Sequence, residues 1–244
     1  MRRQFIFVYG VLCYAISLAA FMYVFGFLGN FWFGRSMDSL GAVPMKNAAL
    51  IDLALVALFA VQHSTMARPA FKHWWRCLVP EPAERSTYLL CSSLALLAVF
   101  VLWQPIGGVI WKVDSAVGRT VFHGAYAFGW GLLLFSSFLL NHFELFGLRQ
   151  IWLHLIGKPH RSMSFQTPVL YRYVRHPLYV GWLFTFWAAP TMTTAHLVFA
   201  LATSAYILIA IRFEERDLLA AHQEYADYRQ LVPALVPFTK RRRQ

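Results

Sequence analysis

The stretch Tyr171-Arg-Tyr-Val-Arg-His-Pro-Leu-Tyr-Val-Gly181 joins a polar loop to a long apolar run. Proline fixes its own φ angle and disfavours helix at the preceding residue, so the sequence predicts a helix that begins at Pro177. Backbone N–H groups at a helix start attract anions, and Arg175 and His176 add positive charge there. The stretch therefore predicts an anion-binding site, although the basic flank of a membrane helix has the same composition.

The apolar region Leu178–Phe213 is too long for one membrane span, and Pro190 lies near its middle among three threonines. We expect two antiparallel helices here, the first reaching only about 20 Å at 1.5 Å per residue. Two adjacent carboxylates, Glu214 and Glu215, follow the second helix and suit a cationic ligand. The alternative is a solvated helix end in which Arg212 pairs with Glu215.

The composition excludes an ordinary soluble domain, because 59% of the residues are hydrophobic, 14% are charged and the mean hydropathy is +0.50. Four more apolar runs of about 20 residues, enough to cross a bilayer, precede the hairpin. These runs are Phe5–Leu28, Ala48–Met66, Thr87–Ile106 and Thr120–Phe143. The sequence predicts an all-α fold: a polytopic membrane helix bundle of four spans plus a C-terminal helical hairpin.

The positive charges orient this bundle. With the N-terminus in the cytoplasm, 18 Lys and Arg residues lie in cytoplasmic segments and four lie in outer loops. The four outer residues are Arg35, Lys46, Lys112 and Arg119. The net charge of +11 is thus explained by membrane topology, and the terminal cluster Lys240–Arg243 is expected to contact anionic lipid. Both termini are predicted to be cytoplasmic.

This topology predicts that polar residues from several segments meet at the cytoplasmic interface. His63 and His142 lie at the ends of the second and fourth spans, and Glu144 follows the fourth. Ionisable groups at membrane depth face a cavity or a partner more often than lipid. Each residue also has a structural alternative, as a headgroup-level histidine or a solvated helix end. No Cys-x-x-Cys or His-Glu-x-x-His spacing occurs, so no metal requirement is expected.

Three motifs resemble the isoprenylcysteine carboxyl methyltransferase-like (NnrU-like) membrane superfamily: Arg-His-Pro-x-Tyr-x-Gly at 175–181, Glu-Glu-x-x-Leu at 214–218 and Tyr-x-x-Tyr at 225–228. The segments 62–68, 84–88 and 141–150 resemble a narrower group, the bacterial methanethiol S-methyltransferases. The resemblance implies a bacterial inner-membrane enzyme that uses S-adenosylmethionine, held at the cytoplasmic face. It implies methanethiol as the acceptor and dimethyl sulfide as the product.

The resemblance also implies site residues. The cofactor-binding set is Tyr171, Arg175, His176, Pro177, Tyr179, Gly181, Glu214 and Glu215. Arginine and histidine suit the cofactor carboxylate, glutamates suit its ammonium or ribose hydroxyls, and Gly181 would let it approach the backbone. A thiol is mostly protonated at neutral pH and reacts as the thiolate, so a base is useful. The catalytic set is His142, Glu144, His63 and Arg175.

We expect one integral membrane methyltransferase domain over residues 1–244, with a four-helix part at 1–146 and the cofactor-binding loop, hairpin and tail at 147–244. Other acceptors remain open: a prenylcysteine carboxylate, a lipid amine or a larger thiol. A sterol-reductase-like, NADPH-dependent membrane reductase has a similar Arg-His-Pro tail, but the Glu214–Glu215 pair favours a methyltransferase. A haem protein and a transporter fit the polar residues less well.

The charge distribution predicts that a reporter fused after Gln244 reads as cytoplasmic, whereas one inserted after Lys112 reads as periplasmic. Alkaline phosphatase and fluorescent-protein fusions measure both positions. A periplasmic signal after Gln244 would remove one span from the predicted topology.

Overall fold

The computed structural model describes residues 2–31, 36–39, 45–161 and 165–239. Arg35 and the cluster Lys240–Arg243, which enter the charge count above, lie outside these ranges. The elements in chain order are α1 Arg2–Gly29, α2 Met45–Ala67, α3 Pro69–Trp75, α4 Glu81–Leu102, β1 Val109–Lys112, α5 Ala116–Leu139, α6 His142–Leu145, α7 Leu148–Leu155, a 3₁₀ turn Val169–Arg172, α8 Pro177–Trp187, β2 Thr191–Thr193, α9 Thr194–Ala221 and α10 Tyr225–Leu231.

Helices α1, α2, α4, α5 and α9 are each long and apolar enough to cross a membrane. The first four correspond to the predicted spans, and α8 with α9 forms the predicted hairpin, so the predicted fold class is confirmed. The protein is an integral membrane protein. Helix α8 has 11 residues and is therefore about 16 Å long, short of a bilayer core. It begins at Pro177 as predicted, after a non-helical His176.

Helix α4 begins six residues before the predicted start at Thr87. Its first turn holds Pro82 and two acidic residues, Glu81 and Glu84. Proline is favoured in the first turn, and carboxylates there interact favourably with the helix dipole. Because these residues are polar, a prediction based on hydropathy placed the start of the helix too late in the sequence.

The hairpin connection is a short strand, which the sequence did not predict. Strand β2 pairs antiparallel with β1, with Val109 opposite Thr193 and Lys112 opposite Thr191. The Thr194 N–H also donates to the Gly108 carbonyl at 3.0 Å. Gly108 has a φ of +100°, a conformation that favours glycine. The connection is therefore held by backbone hydrogen bonds.

The described chain forms two compact units. The first comprises Met1–Lys112, His142–Arg161 and Thr191–Ala202, and the second comprises Val113–Asn141, Ser162–Pro190 and Thr203–Gln244. In the first unit α4 packs against α1 and α2, and Phe27 meets Phe100 with ring centroids 4.9 Å apart. In the second unit α5 packs against α8.

Buried polar side chains in the first unit bind specific partners. The Asp52 carboxylate accepts a hydrogen bond from the Gln104 backbone N–H at 2.7 Å. His196 lies 3.3 Å from Asp38, whose other oxygen accepts from the Thr193 hydroxyl at 2.5 Å. Burial raises the pKa of Asp38, but its bonds to His196 and Thr193 outweigh this and lower it. These contacts give His196 a structural role.

The α5–α8 contact depends on two glycines. Pro177, Gly181 and Thr185 share the buried face of α8 at four-residue spacing. A Cβ atom at Gly181 would lie 2.9 Å from the Gly129 carbonyl oxygen, and one at Gly129 would lie 2.8 Å from the Phe184 Cβ. The two backbones therefore approach more closely than any larger residue allows, as small residues permit in membrane helices.

We expect Gly129→Ala to destabilise the protein by about 1–3 kcal/mol, because the new methyl group has no room at the crossing. Gly131→Ala is the matched control, since a Cβ there meets nothing within 4 Å on the same helix. Thermal unfolding in detergent measures both. Similar melting temperatures for the two variants would show that α5 and α8 pack less tightly than described.

Candidate active site

A buried carboxylate forms the centre of the second unit. Glu215 lies near the end of α9 and is 5% exposed. Its Oε1 atom accepts from the Arg175 Nε at 2.7 Å and lies 3.0 Å from the His176 Nε2. Its Oε2 atom lies 3.0 Å from the Nε of Arg229 on α10. Glu215 thus joins the start of α8, the end of α9 and α10, and we name these four residues the Glu215 cluster.

Arg175 also binds the chain that follows α10. Its guanidinium donates to the carbonyl oxygens of Arg229, at 3.1 Å, and of Val232. The backbone N–H groups of Arg175 and His176 donate to the carbonyls of Pro233 and Ala234 at 2.9 and 3.1 Å. The two residues before Pro177 are therefore tied to the C-terminal segment through both backbone and side-chain atoms.

Glu214 has a different environment from Glu215. Its side chain is 45% exposed, and it accepts a hydrogen bond from the Tyr179 hydroxyl at 2.9 Å. The Tyr179 ring lies 5.5 Å from the imidazole of His176. Glu214 therefore offers an accessible carboxylate next to the Glu215 cluster.

Tyrosines complete this part of the second unit. The Tyr228 hydroxyl donates to the Tyr171 carbonyl at 2.5 Å, and Phe165 contacts Tyr225 and Tyr228 with ring centroids 5.7 and 5.4 Å away. The Tyr171 hydroxyl is buried and has no hydrogen-bond partner among the described residues. Burial, reinforced by the charge of Glu214, raises the pKa of Tyr171, so this hydroxyl stays protonated as a donor.

The candidate bases lie in the first unit. His142 is 5% exposed, and its Nε2 atom is 2.8 Å from the Tyr14 hydroxyl. The Phe146 ring stacks on the imidazole with centroids 4.4 Å apart. Burial lowers the pKa of His142, so the neutral imidazole predominates at neutral pH and is able to accept a proton. His142 thus combines a buried imidazole with a hydroxyl partner.

The other two candidates are held by polar neighbours. The His63 Nε2 lies 2.9 Å from the Tyr88 hydroxyl, and its Nδ1 lies 3.1 Å from the Ser92 hydroxyl. The Glu144 carboxylate binds Arg149, Gln150 and His160 at 3.4, 3.1 and 2.7 Å. Glu144 thereby ties α6 to α7 and to the segment that follows it.

Among curated proteins, the sequence is 52% identical to a methanethiol S-methyltransferase of Crocosphaera subtropica, over 98% of this chain and 94% of that protein. It is 46% identical to the methanethiol S-methyltransferase of Mycobacterium tuberculosis, with 99% of each chain covered. This chain belongs to the methanethiol S-methyltransferase family. Nurim of Bos taurus is more distant, at 32% identity over 77% of this chain and 72% of Nurim. No family model and no solved structure matches the chain.

Two residues of the Arg-His-Pro-x-Tyr-x-Gly motif have packing roles in this methanethiol S-methyltransferase family member. Pro177 is buried at the start of α8, and the face of Gly181 that would carry a Cβ is against α5. The sequence predicts close approach of a cofactor to Gly181, and the structure places the Gly129 carbonyl and Leu133 against the face that a Cβ would occupy. From the sequence alone, a glycine after Arg-His-Pro is equally consistent with binding a cofactor and with close packing of two helices.

Two residues that contact the proposed site residues were given no role in the sequence analysis. Arg229 pairs with Glu215 from 14 positions away, and Tyr14 reaches His142 from the first helix, so neither contact has a local signal. Tyr225 and Tyr228 had a signal in the Tyr-x-x-Tyr spacing. Within the described residues, no group of three His, Cys, Asp or Glu side chains is placed to hold a metal ion.

We expect Arg175→Gln to destabilise the protein by about 3–5 kcal/mol, because it leaves Glu215 buried with weaker compensation. Arg229→Gln removes the same charge from the other carboxylate oxygen, but the Arg229 side chain is 49% exposed, so its loss should cost less than about 1 kcal/mol. Thermal unfolding in detergent compares the two variants. Equal losses would mean that the buried pair is no more important than the exposed one.

Proposed function

We propose that this protein methylates methanethiol with S-adenosylmethionine to give dimethyl sulfide. The observation that carries the proposal is the 52% identity to a methanethiol S-methyltransferase over nearly the whole of both chains. The second unit supplies charged and tyrosine side chains of the kind that a zwitterionic cofactor requires. The first unit supplies a buried histidine of the kind that a thiol substrate requires.

The names of the relatives specify the acceptor and the reaction, and the methyl donor is our inference. S-adenosylmethionine supplies a methyl group on a positively charged sulfonium. The residues of the second unit fit this donor: the accessible Glu214 carboxylate suits its ammonium or ribose hydroxyls. The buried Tyr171 hydroxyl has its hydrogen available for a carboxylate or hydroxyl oxygen of the ligand. An unused buried donor is costly unless a ligand satisfies it.

Arg175 is better described as a positioning residue than as a direct ligand to the cofactor. Its guanidinium is engaged by Glu215 and by the carbonyls of Arg229 and Val232. These bonds fix the chain after α10 against the start of α8. We therefore assign Arg175 the task of holding His176, Glu214 and the tyrosines in place for the ligand.

We assign proton removal to His142. The Nε2 atom of His142 lies 2.8 Å from the Tyr14 hydroxyl. In the tautomer whose Nε2 carries no proton, the hydroxyl passes its proton to Nε2 and takes up the thiol proton. The resulting thiolate is the nucleophile. A thiolate and a sulfonium neutralise each other on the way to the transition state, so a site from which water is excluded favours the reaction.

The membrane setting agrees with this chemistry, because a small apolar thiol dissolves in the bilayer. We infer that the protein resides in the bacterial inner membrane with both termini cytoplasmic, as the charge count indicates. We further infer that residues 1–244 form one integral membrane methyltransferase domain, which the match to individual relatives over 98% and 99% of the chain supports.

Headspace gas chromatography tests the activity directly. Membranes containing the protein, given S-adenosylmethionine and methanethiol, should release dimethyl sulfide, and membranes from the empty expression host should not. Offering a prenylcysteine or a larger thiol in place of methanethiol distinguishes the other acceptors. Methyl transfer to one of these but not to methanethiol would overturn the proposed substrate.

We expect Glu214→Gln to weaken S-adenosylmethionine binding by roughly 10- to 100-fold, because a charged hydrogen bond contributes about 1.5–3 kcal/mol. Isothermal titration calorimetry on the detergent-solubilised protein measures the affinity. Glu224→Gln is the matched control, since it removes an exposed carboxylate elsewhere in the second unit. Unchanged affinity in Glu214→Gln would place this carboxylate outside the cofactor site.

We expect His142→Ala to lower methanethiol turnover by about 10²–10⁴-fold, with cofactor affinity within a few-fold of the wild type. The difference in turnover between His142→Ala and the wild type should shrink as the pH rises toward the thiol pKa, because more of the substrate is then already thiolate. Because burial lowers the pKa of His142, wild-type turnover should fall only below the usual histidine value of about 6.5.

Tyr14→Phe separates the base from its partner. It removes the hydroxyl that relays the proton, so turnover should fall nearly as far as in His142→Ala, and loss of the contact should also shift the acid limb of the pH profile. A His142→Ala defect that is the same at every pH, or that appears as lost cofactor binding, would exclude His142 as the base and make His63 and Glu144 the next candidates.

A further inference from the structure

The short helix α3 connects two membrane-spanning helices, because α2 ends at Ala67 and α4 begins at Glu81. A linker of this length between two spans lies at the boundary of the bilayer, within reach of lipid headgroups. The side chains of α3 and its flanking residues fall into an aromatic group and a cationic group. Neither group takes part in the proposed methyl transfer.

The aromatic group consists of Phe71, Trp74 and Trp75. The Phe71 ring lies 5.4 Å from each tryptophan ring, and the two tryptophans are 5.8 Å apart. Trp74 is 55% exposed and the nearby Leu78 is 64% exposed. Tryptophan concentrates at membrane interfaces, where its apolar body meets the acyl chains and its N–H meets polar groups. This cluster is suited to seat α3 in the interface.

The cationic group follows one face of the same segment. Arg68, Lys72 and Arg76 recur every four residues, and the chain is helical between them, with Lys72 N–H to Arg68 O and Arg76 N–H to Lys72 O both at 3.1 Å. Residues at this spacing project from one face of a helix, where like charges repel each other. The face therefore favours a compensating anion.

Lys72 lies at the centre of this positive field. Its side chain is partly buried, and burial followed by the charge of Arg85 lowers the pKa of Lys72. Glu84 opposes this shift, and Arg68 and Arg76 add to it. A lysine whose charge is disfavoured by both burial and its neighbours gains more from a bound anion than an exposed lysine does.

The carboxylates of this region are engaged by one of the cations. Arg76 lies 2.8 Å from Glu84 and 3.7 Å from Glu81. Arg85, which comes from α4, donates to the Leu145 carbonyl at 2.7 Å. Residues 68–85 thus contain four Lys and Arg side chains and two glutamates, an excess of positive charge beside the bilayer surface.

We propose that Arg68, Lys72 and Arg85 bind the phosphate group of an anionic phospholipid, with the aromatic cluster of α3 contacting its acyl chains. The phosphate adds negative charge to a segment in which four Lys and Arg side chains outnumber two glutamates, and arginines and a lysine suit phosphate oxygens. Basic residues at a membrane surface are attracted to anionic lipid. The adjoining aromatic rings favour a lipid over a soluble phosphate.

Native mass spectrometry of the full-length protein, released from detergent with added lipid, tests the site. The wild type should bind phosphatidylglycerol more tightly than phosphatidylcholine with the same acyl chains. Lys72→Gln should weaken phosphatidylglycerol binding by about five-fold, and Lys72→Arg should retain it. Lys158→Gln is the matched control, since it removes an exposed lysine of the same unit outside α3 and should bind as the wild type does.

Equal phosphatidylglycerol affinity in the wild type and in Lys72→Gln, or an equal loss in Lys158→Gln, would overturn the site. Glycerol 3-phosphate that displaces the lipid at the same concentration would show a soluble phosphate as the ligand and overturn the assignment to lipid. Melting temperatures establish that each variant is folded. If Lys72→Gln does not fold, Arg68→Gln takes its place, with the same expected loss and the same contrary result.

Discussion

The ion pairs of Glu215 are the interaction on which the second unit depends. A carboxylate buried near the end of an apolar helix is costly, and the cost is offset only when opposite charges and hydrogen bonds surround it. Arg175 and His176 satisfy one oxygen and Arg229 lies against the other. Because these partners come from before α8 and from α10, a single carboxylate determines where both ends of the hairpin meet the C-terminal segment.

The three sequence motifs of the C-terminal half are therefore one electrostatic and hydrogen-bonded assembly. The Arg-His-Pro motif supplies the cations and, through Pro177, the helix start. The Glu-Glu motif supplies the carboxylate, and the Tyr-x-x-Tyr motif places Tyr228 against the Tyr171 carbonyl. Their separation along the chain reflects the length of the hairpin between them. A ligand bound beside Glu214 and the tyrosines would meet groups whose positions are already fixed, which is the condition for tight binding without a large ordering cost.

The fold was largely predictable because long apolar runs, proline and charge bias each have a local physical meaning. The spans and the hairpin followed from hydropathy, and the start of α8 followed from Pro177. The β1–β2 pairing was not predictable, since its strands are four and three residues long and pair only through backbone atoms. The sequence indicated which residues form the site but not what each of them contacts. Charge alone suggested that Arg175 binds a ligand carboxylate, whereas its guanidinium binds Glu215. Partners fixed by tertiary contact, such as Tyr14 with His142, have no sequence signal at all.

The contrast between Glu214 and Glu215 shows how a helix gives adjacent identical residues different tasks. Successive side chains on an α-helix point about 100° apart, so two neighbouring carboxylates cannot face the same surroundings. Glu215 points into the ion-pair cluster and is 5% exposed, whereas Glu214 points to Tyr179 with 45% of its side chain exposed. A single glutamate would have to serve either as the buried centre of the unit or as an accessible group for a ligand. Two in succession allow the buried charge to hold the structure while its neighbour stays accessible, and because both lie on one rigid helix, the accessible carboxylate is positioned by the buried one.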